Sequence, residues 1–227
     1  MEFNHTNFAS YQPAEAARLT GVSSQRIKRW LEGYTSGSGT SAKNQPPLWN
    51  SRYSEYDDCY FGFLDLIEIR FVDAFVKAGL SIQAVRTLLS RAREIAESDY
   101  PLSTHQFKTD GRTLFLEVWG SDDAKAIDVK NGQLAFHAIV KPSFVDLEFD
   151  SNSVTKWYVS GRNKQISIDP NLAFGQPVVD QTSIPTARLW EAYQADGDVK
   201  SVARQFEISL RQVKHAIEFE HRLASQN

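Results

Sequence analysis

The segment Ala16–Glu32 returns 186 residues later as Val202–Glu218. Ala17, Arg18, Ser23, Lys28 and Glu32 recur as Ala203, Arg204, Ser209, Lys214 and Glu218, while Val22 exchanges for Ile208 and Ile27 for Val213. In the first copy Pro13 suits a first helical position, which needs no N–H donor. Ala17 is small enough for a second helix to approach, Gly21 makes a tight turn, and Ser23 caps the helix that follows. Val22, Ile27 and Trp30 or Leu31 hold the pair together. Ser23, Ser24, Gln25, Arg26, Lys28 and Arg29 then cluster at the start of the second helix, partly outward. In a helix-turn-helix that end enters the major groove of double-stranded DNA, where Arg and Gln pair with base edges. The second copy has Glu207 at the turn position, and Ser209-Leu210-Arg211-Gln212 forms a capping box. Ser209, Arg211, Gln212 and Lys214 are its DNA-facing candidates, a less basic set. Either copy can instead be a helix pair that only packs a core, and the second can be a dimerisation or partner-binding unit.

Between the copies the chain reads as helical to about Ala96, then alternating, then helical again from Pro185. The small polar residues of Thr35–Pro47 predict a mobile loop, since they cannot bury apolar surface. Its Gly-x-Gly lacks phosphate-loop spacing and follows no strand. Phe61, Leu64, Ile67, Phe71 and Phe75 fall at helical spacing up to Lys77, and Gly79 is placed as a stop. Ser81 caps a further helix to about Ala96, with Val85, Leu88, Leu89 and Ile95 inward. Asp110-Gly111 and Asn131-Gly132 predict hairpin turns between the strands Thr113–Trp119, Gln133–Val140, Val145–Phe149, Val154–Val159 and Gln165–Ile168. The expected fold is α+β: a helical domain over 1–98, a central antiparallel β-sheet domain over 99–165, and a helical unit over 166–227.

Composition narrows the function classes. The chain has 25 Lys and Arg against 28 Asp and Glu, a formal charge of −3, so any DNA binding must come from a local patch. Cys59 is the single cysteine, which fits a reducing, cytoplasmic setting without disulfides. Neither a signal-peptide pattern nor an apolar run near the roughly 20 residues that span a membrane is visible. His5, His105, His137, His215 and His221 have no metal-ligand spacing among themselves or with Cys59. Asp57-Asp58 and Asp122-Asp123 read as solvated turns. No enzyme, metal or cofactor is expected.

Two family resemblances sharpen this reading. Tyr11, Ala17, Gly21-Val22-Ser23, Ile27 and Gly79-Leu80-Ser81 fall on the pattern of the MerR regulators, so residues 11–34, Arg52-Tyr53 and the helices of 61–95 resemble that family's winged helix-turn-helix. The resemblance implies a wing that holds Arg52 and Tyr53 near phosphate. Arg26, Lys28 and Arg29 stand where that family has threonine, arginine and tyrosine. The long dimerisation coiled coil and effector cysteine cluster are missing, which argues against a metal sensor. From Ile166 to Glu220, Ile168-Asp169-Pro170, Gly175-Gln176-Pro177-Val178-Val179, Thr182 and Ile184-Pro185-Thr186 are similar to a small bacterial antitoxin family. Gln181 and Ser183 depart from its Gly-Thr-Arg-Ile-Pro motif. Together the two parts look like the larger VapB-type antitoxins.

That likeness implies an antitoxin of a type II toxin–antitoxin system, which binds its operator DNA as an autorepressor and neutralises a PIN-like ribonuclease toxin directly. Independently of that likeness, exposed strands and extended segments can pair with a partner, which points to Ile166–Thr186 or the sheet as the toxin contact. Two half-sites would be occupied either by a monomer through its two recognition units or, the commoner solution, by a homodimer. The alternative is a MerR-like transcriptional regulator whose β domain senses a small ligand through Trp119, Phe136, Phe144, Trp157 and Tyr158. A module that only binds proteins is a third reading.

Overall fold

Helix α3 (Phe63–Ala78) is buried on nearly every side, acidic residues included, and the first half of the chain packs around it. Leu66, Ile67, Ile69, Phe71, Val72 and Phe75 are all fully buried, which suits a helix at the centre of a core rather than at its edge. The computed structural model of the protein describes residues 9–36, 42–51, 60–122, 129–161 and 165–225. They fall into two compact units. One comprises Tyr11–Val145 with Phe149–Val154; the other comprises Asp146–Glu148 and the chain from Thr155 onward, with Ala9 and Ser10.

In the first unit α1 (Pro13–Thr20) and α2 (Ser24–Glu32) lead into a two-stranded antiparallel ladder, Tyr34–Ser36 against Lys43–Gln45. Tyr34 pairs with Gln45 and Thr35 with Asn44, so the ends of the expected mobile loop are ordered strands. Helices α4 (Ile82–Ala96) and α5 (His105–Gly120) pack together, and α6 (Val129–Ala135) continues as a π-helical segment, Phe136–Val140, before α7 (Pro142–Val145). The stop at Gly79 and the Ser81 cap are as expected, with Ser81 Oγ accepting from Ala84 N at 3.1 Å. Ile95 is not inward: it is 52% exposed.

The central sheet is replaced by helix. Thr113–Trp119 lies inside α5, and Gln133–Val140 lies in α6 and the π-helical segment. Only Leu147–Phe149, Val154–Trp157 and Ile166–Ser167 of the five expected strands are extended. Neither glycine of the supposed turns makes a turn. A Cβ on Gly111 would lie 2.8 Å from the Phe107 ring, and one on Gly132 would lie 2.7 Å from the Trp119 ring. Both glycines make room for an aromatic side chain. The protein remains α+β, 61% helical, with its β-structure in small antiparallel pairs.

Acidic groups sit inside this helical core. Asp65 accepts from Trp49 Nε1 at 2.9 Å, Ser51 Oγ at 2.8 Å and Gly62 N at 2.8 Å. Glu68 Oε1 accepts from both Ser103 N and Ser103 Oγ at 3.0 Å, where the chain turns through Pro101–Ser103. Burial, opposed by the Ser103 hydrogen bonds, pushes the Glu68 carboxyl up to about 8.

The second unit pairs Ile166 with Val179 and Ser167 with Val178, and Trp157 bridges to Ile168. Three helices follow: α8 (Thr186–Asp196), α9 (Val199–Gln205) and α10 (Leu210–Ala224). Leu189, Val202, Val213, Ala216 and Phe219 form their shared core. Thr186 Oγ1 donates to Glu220 on α10 and Thr186 N donates to the Pro177 carbonyl at 2.9 Å, which ties the helices to the paired strands.

Candidate nucleic-acid interface

Gly21 ends α1 at φ 72°, its N–H donating to Ala17 O at 2.8 Å. Ser23 Oγ then accepts from Arg26 N at 3.4 Å and starts α2. Ala16, Leu19 and Val22 are buried, as are Ile27, Trp30 and Leu31 of α2. Ala16 is the small residue in the deepest position; Ala17 is half-buried. With one face of α2 occupied, Ser23, Ser24, Gln25, Lys28 and Arg29 are exposed together. Residues 11–36 carry Arg18, Arg26, Lys28 and Arg29 against Glu15 and Glu32, a local positive excess in an acidic chain.

Two of these cations are held in place. The Arg29 guanidinium lies 4.0 Å from the centre of the Tyr34 ring, at the foot of the hairpin. Arg26 lies 3.2 Å from Asp73 of α3 and 5.0 Å from the centre of the Trp30 ring. Asp73 also meets Lys77, four residues along the same helix, at 2.6 Å. The sequence pattern marks neither Tyr34 nor Asp73; only the Asp73–Lys77 spacing on one helix face carries a signal.

In the other unit Ser209 Oγ accepts from Gln212 N at 3.2 Å, and Gln212 Oε1 accepts from Ser209 N at 2.9 Å and Ser209 Oγ at 2.8 Å. The capping box therefore occupies the Gln212 side-chain oxygen. Arg211 and Lys214 are exposed, and Leu210, 44% exposed, takes the place that Ser24 has in the first copy. Glu207 stands where Gly21 does and adopts the same left-handed conformation, φ 55°. A side chain there is strained by roughly 1–2 kcal/mol. Replacing it by glycine also loosens the unfolded chain, so Glu207→Gly is expected to stabilise the protein by about 0.5 kcal/mol in urea denaturation. A loss of stability would show that the Glu207 side chain makes stabilising interactions in the folded unit.

Arg52, Tyr53, Asp57-Asp58, Cys59 and Asp123 lie outside the described residues. Asp122 is not a solvated turn residue: it is buried and accepts from Ser81 N and Ser81 Oγ, each at 2.9 Å. Of the aromatics expected to sense a ligand, Trp119, Phe136, Trp157 and Tyr158 are buried and Phe144 is half-buried. Phe115 lies 5.7 Å from Trp119 and 5.5 Å from Phe136, and Phe71 lies 4.6 Å from Phe144. Trp157 and Tyr158 are buried in the other unit, where Tyr158 Oη donates to Glu148 at 2.7 Å. Among the described residues no three His, Cys, Asp or Glu side chains gather to hold a metal ion, and no helix is long and apolar enough to cross a membrane.

Residues 166–219 match a family model described as "Protein of unknown function (DUF433)". Over 221 residues the chain is 21% identical to a protein of Mycobacterium tuberculosis (strain ATCC 25618 / H37Rv) named "Putative antitoxin VapB45", covering 92% of each chain. The X-ray crystal structure of Rv2018 from Mycobacterium tuberculosis superposes with a TM-score of 0.67, over 91% of this chain and 96% of that one, at 18% identity. The chain therefore shares the fold of that structure along nearly its whole length.

Proposed function

We propose that the chain is the antitoxin of a type II toxin–antitoxin pair, acting in the cytoplasm as repressor of its own operon and as direct inhibitor of a PIN-like ribonuclease. The observation that carries the DNA half is the exposed row Ser24, Gln25, Lys28 and Arg29 on a helix whose opposite face is buried. The order of helix pair, hairpin and the helices α3 and α4 supports a MerR-like winged arrangement over residues 1–98, with the hairpin in the place of the wing. Likeness along 92% of both chains to a relative named as an antitoxin supports the toxin-binding half. Residues 166–227 would form the antitoxin-like part, with Ile166–Thr186 facing the toxin. A homodimer would set two α2 helices on two half-sites.

The test is a fluorescence-anisotropy titration of the protein against its own upstream DNA and an unrelated duplex across a salt series. Preference for the upstream DNA with a steep salt slope is expected. Arg29→Ala should weaken that binding by about 1–3 kcal/mol. Equal, weak binding to both duplexes would remove the repressor reading. Co-expression with the product of the neighbouring gene tests the other half: a co-purifying complex with suppressed ribonuclease activity is expected, and free, active ribonuclease would refute it.

A further inference from the structure

Asp73 is an acid set against the start of a basic helix. Its side chain is 6% exposed, with Oδ1 3.2 Å from Arg26 Nη1 and Oδ2 2.6 Å from Lys77 Nζ. Arg26 itself keeps 43% of its side chain exposed, with its guanidinium near the buried ring of Trp30. A guanidinium has five N–H donors in a rigid fork. Here one nitrogen is ion-paired with the carboxylate, within 3.2 Å but off hydrogen-bond alignment, while the side chain as a whole stays partly exposed at the first turn of α2.

Taken alone, a carboxylate at this place opposes a polyanion, so its presence calls for a compensating role. A mobile arginine loses rotamer freedom when it contacts a base, and one already held loses less. Lys77 covers the second carboxylate oxygen and leaves the trio with a net charge of +1. We propose that Asp73 is a positioning residue that fixes the Arg26 guanidinium for bidentate contact with a guanine edge in the major groove of the operator. The inference rests on the DNA-binding reading of α2 and adds the residue that sets its sequence preference.

Operator and unrelated duplexes are titrated by fluorescence anisotropy with the full chain as wild type, Asp73→Asn, Arg26→Gln and the double variant. Thermal unfolding verifies that each variant is folded. Asp73→Asn is expected to lower the preference for operator about tenfold, while binding to unrelated DNA stays level or tightens. The double variant should match Arg26→Gln alone, because Asp73 acts through Arg26. An undiminished preference in Asp73→Asn, an equal loss on both duplexes, or additive effects in the double variant would each overturn the proposal. If Asp73→Asn does not fold, Arg26→Gln decides: an intact operator preference overturns it and a lost one supports it. A wild-type protein without preference overturns the DNA-binding reading as well, an outcome distinct from a wild-type preference that the variants leave intact.

Discussion

Glu68→Gln is expected to stabilise the protein at pH 8, to leave its stability near pH 4 almost unchanged, and to flatten the dependence between them. The Glu68 carboxyl is fully buried, and its pKa is raised from 4.5 to about 8 chiefly by desolvation. Below about pH 4.5 the group is protonated in both the folded and the unfolded chain, and the stability tied to it is fully present. As pH rises toward 8 the unfolded chain releases the proton and the folded chain keeps it, so stability falls by about 1.4 kcal/mol per unit. The full loss is on the order of 5 kcal/mol, and it levels off once the folded form also ionises. Glutamine has the same shape and no proton to lose, and its oxygen can keep the two Ser103 hydrogen bonds. Its amide would take the place of Oε2, which has no hydrogen-bond partner among the described residues, so the buried donor of the protonated acid is replaced by another. Urea denaturation of both proteins at pH 5 and pH 8 checks this, with a gain of several kcal/mol for the variant at the higher pH. Parallel pH dependences in the two proteins would sink it.

The same glutamate marks the limit of reading this chain from its sequence. In the run Leu66-Ile67-Glu68-Ile69 the apolar spacing announces a helix, but not that Glu68 itself faces the core. That depends on Ser103, 35 residues away, which donates two hydrogen bonds to Glu68 Oε1. Features governed by nearest neighbours were legible for the converse reason. The caps at Ser23, Ser81 and Ser209 and the turn at Gly21 involve partners within four residues, and each stands where the sequence placed it. The repeat was legible too, down to the left-handed position that Gly21 and Glu207 share.

The central block misled because a glycine beside Asp or Asn has two physical uses. It can accept a positive φ in a turn, or it can leave space for a neighbour. Gly111 and Gly132 do the second, under Phe107 and Trp119. A helical stripe was present all along in Phe107, Gly111, Leu114, Phe115 and Val118, each buried on α5. It was obscured by β-branched and aromatic residues that also suit strands. At the candidate interface, composition located the exposed basic residues but not what holds them. Arg26 is tied to Asp73 across the α2–α3 contact, and Arg29 rests on Tyr34 beyond the end of its own helix. The hairpin below them is made by backbone pairing of Tyr34–Ser36 with Lys43–Gln45, where only Tyr34 and Thr35 are strand-favouring residue types and Lys43 and Asn44 are strand-disfavouring ones.

Gly33→Ala tests whether that hairpin fixes the interface, and it should be among the most damaging single-methyl additions in the molecule. Gly33 has φ 76° and ψ −175°, a region that only glycine enters freely. A Cβ there would lie 2.3 Å from the Gln45 carbonyl oxygen, 3.1 Å from Pro46 C and 3.2 Å from Pro47 N, all backbone atoms. The opposing strand cannot simply step aside. Leu48 N donates to Trp30 O at 2.7 Å, and Arg86 donates to the carbonyls of Pro46 and Pro47. Conformational strain and steric conflict together should cost about 3 kcal/mol or more. The Tyr34–Gln45 pairing should open, with faster amide exchange along both strands and loss of the surface on which Arg29 rests. Gly21→Ala provides the control. Its φ is 72°, of the same sign, but nothing lies within 4 Å of the added Cβ, so only the left-handed strain of about 1 kcal/mol is expected. Thermal or urea unfolding of the two variants separates strain from contact. An equal loss in both would mean that the hairpin backbone does not press on Gly33, and the geometry that seats Arg29 on Tyr34 would lose its support.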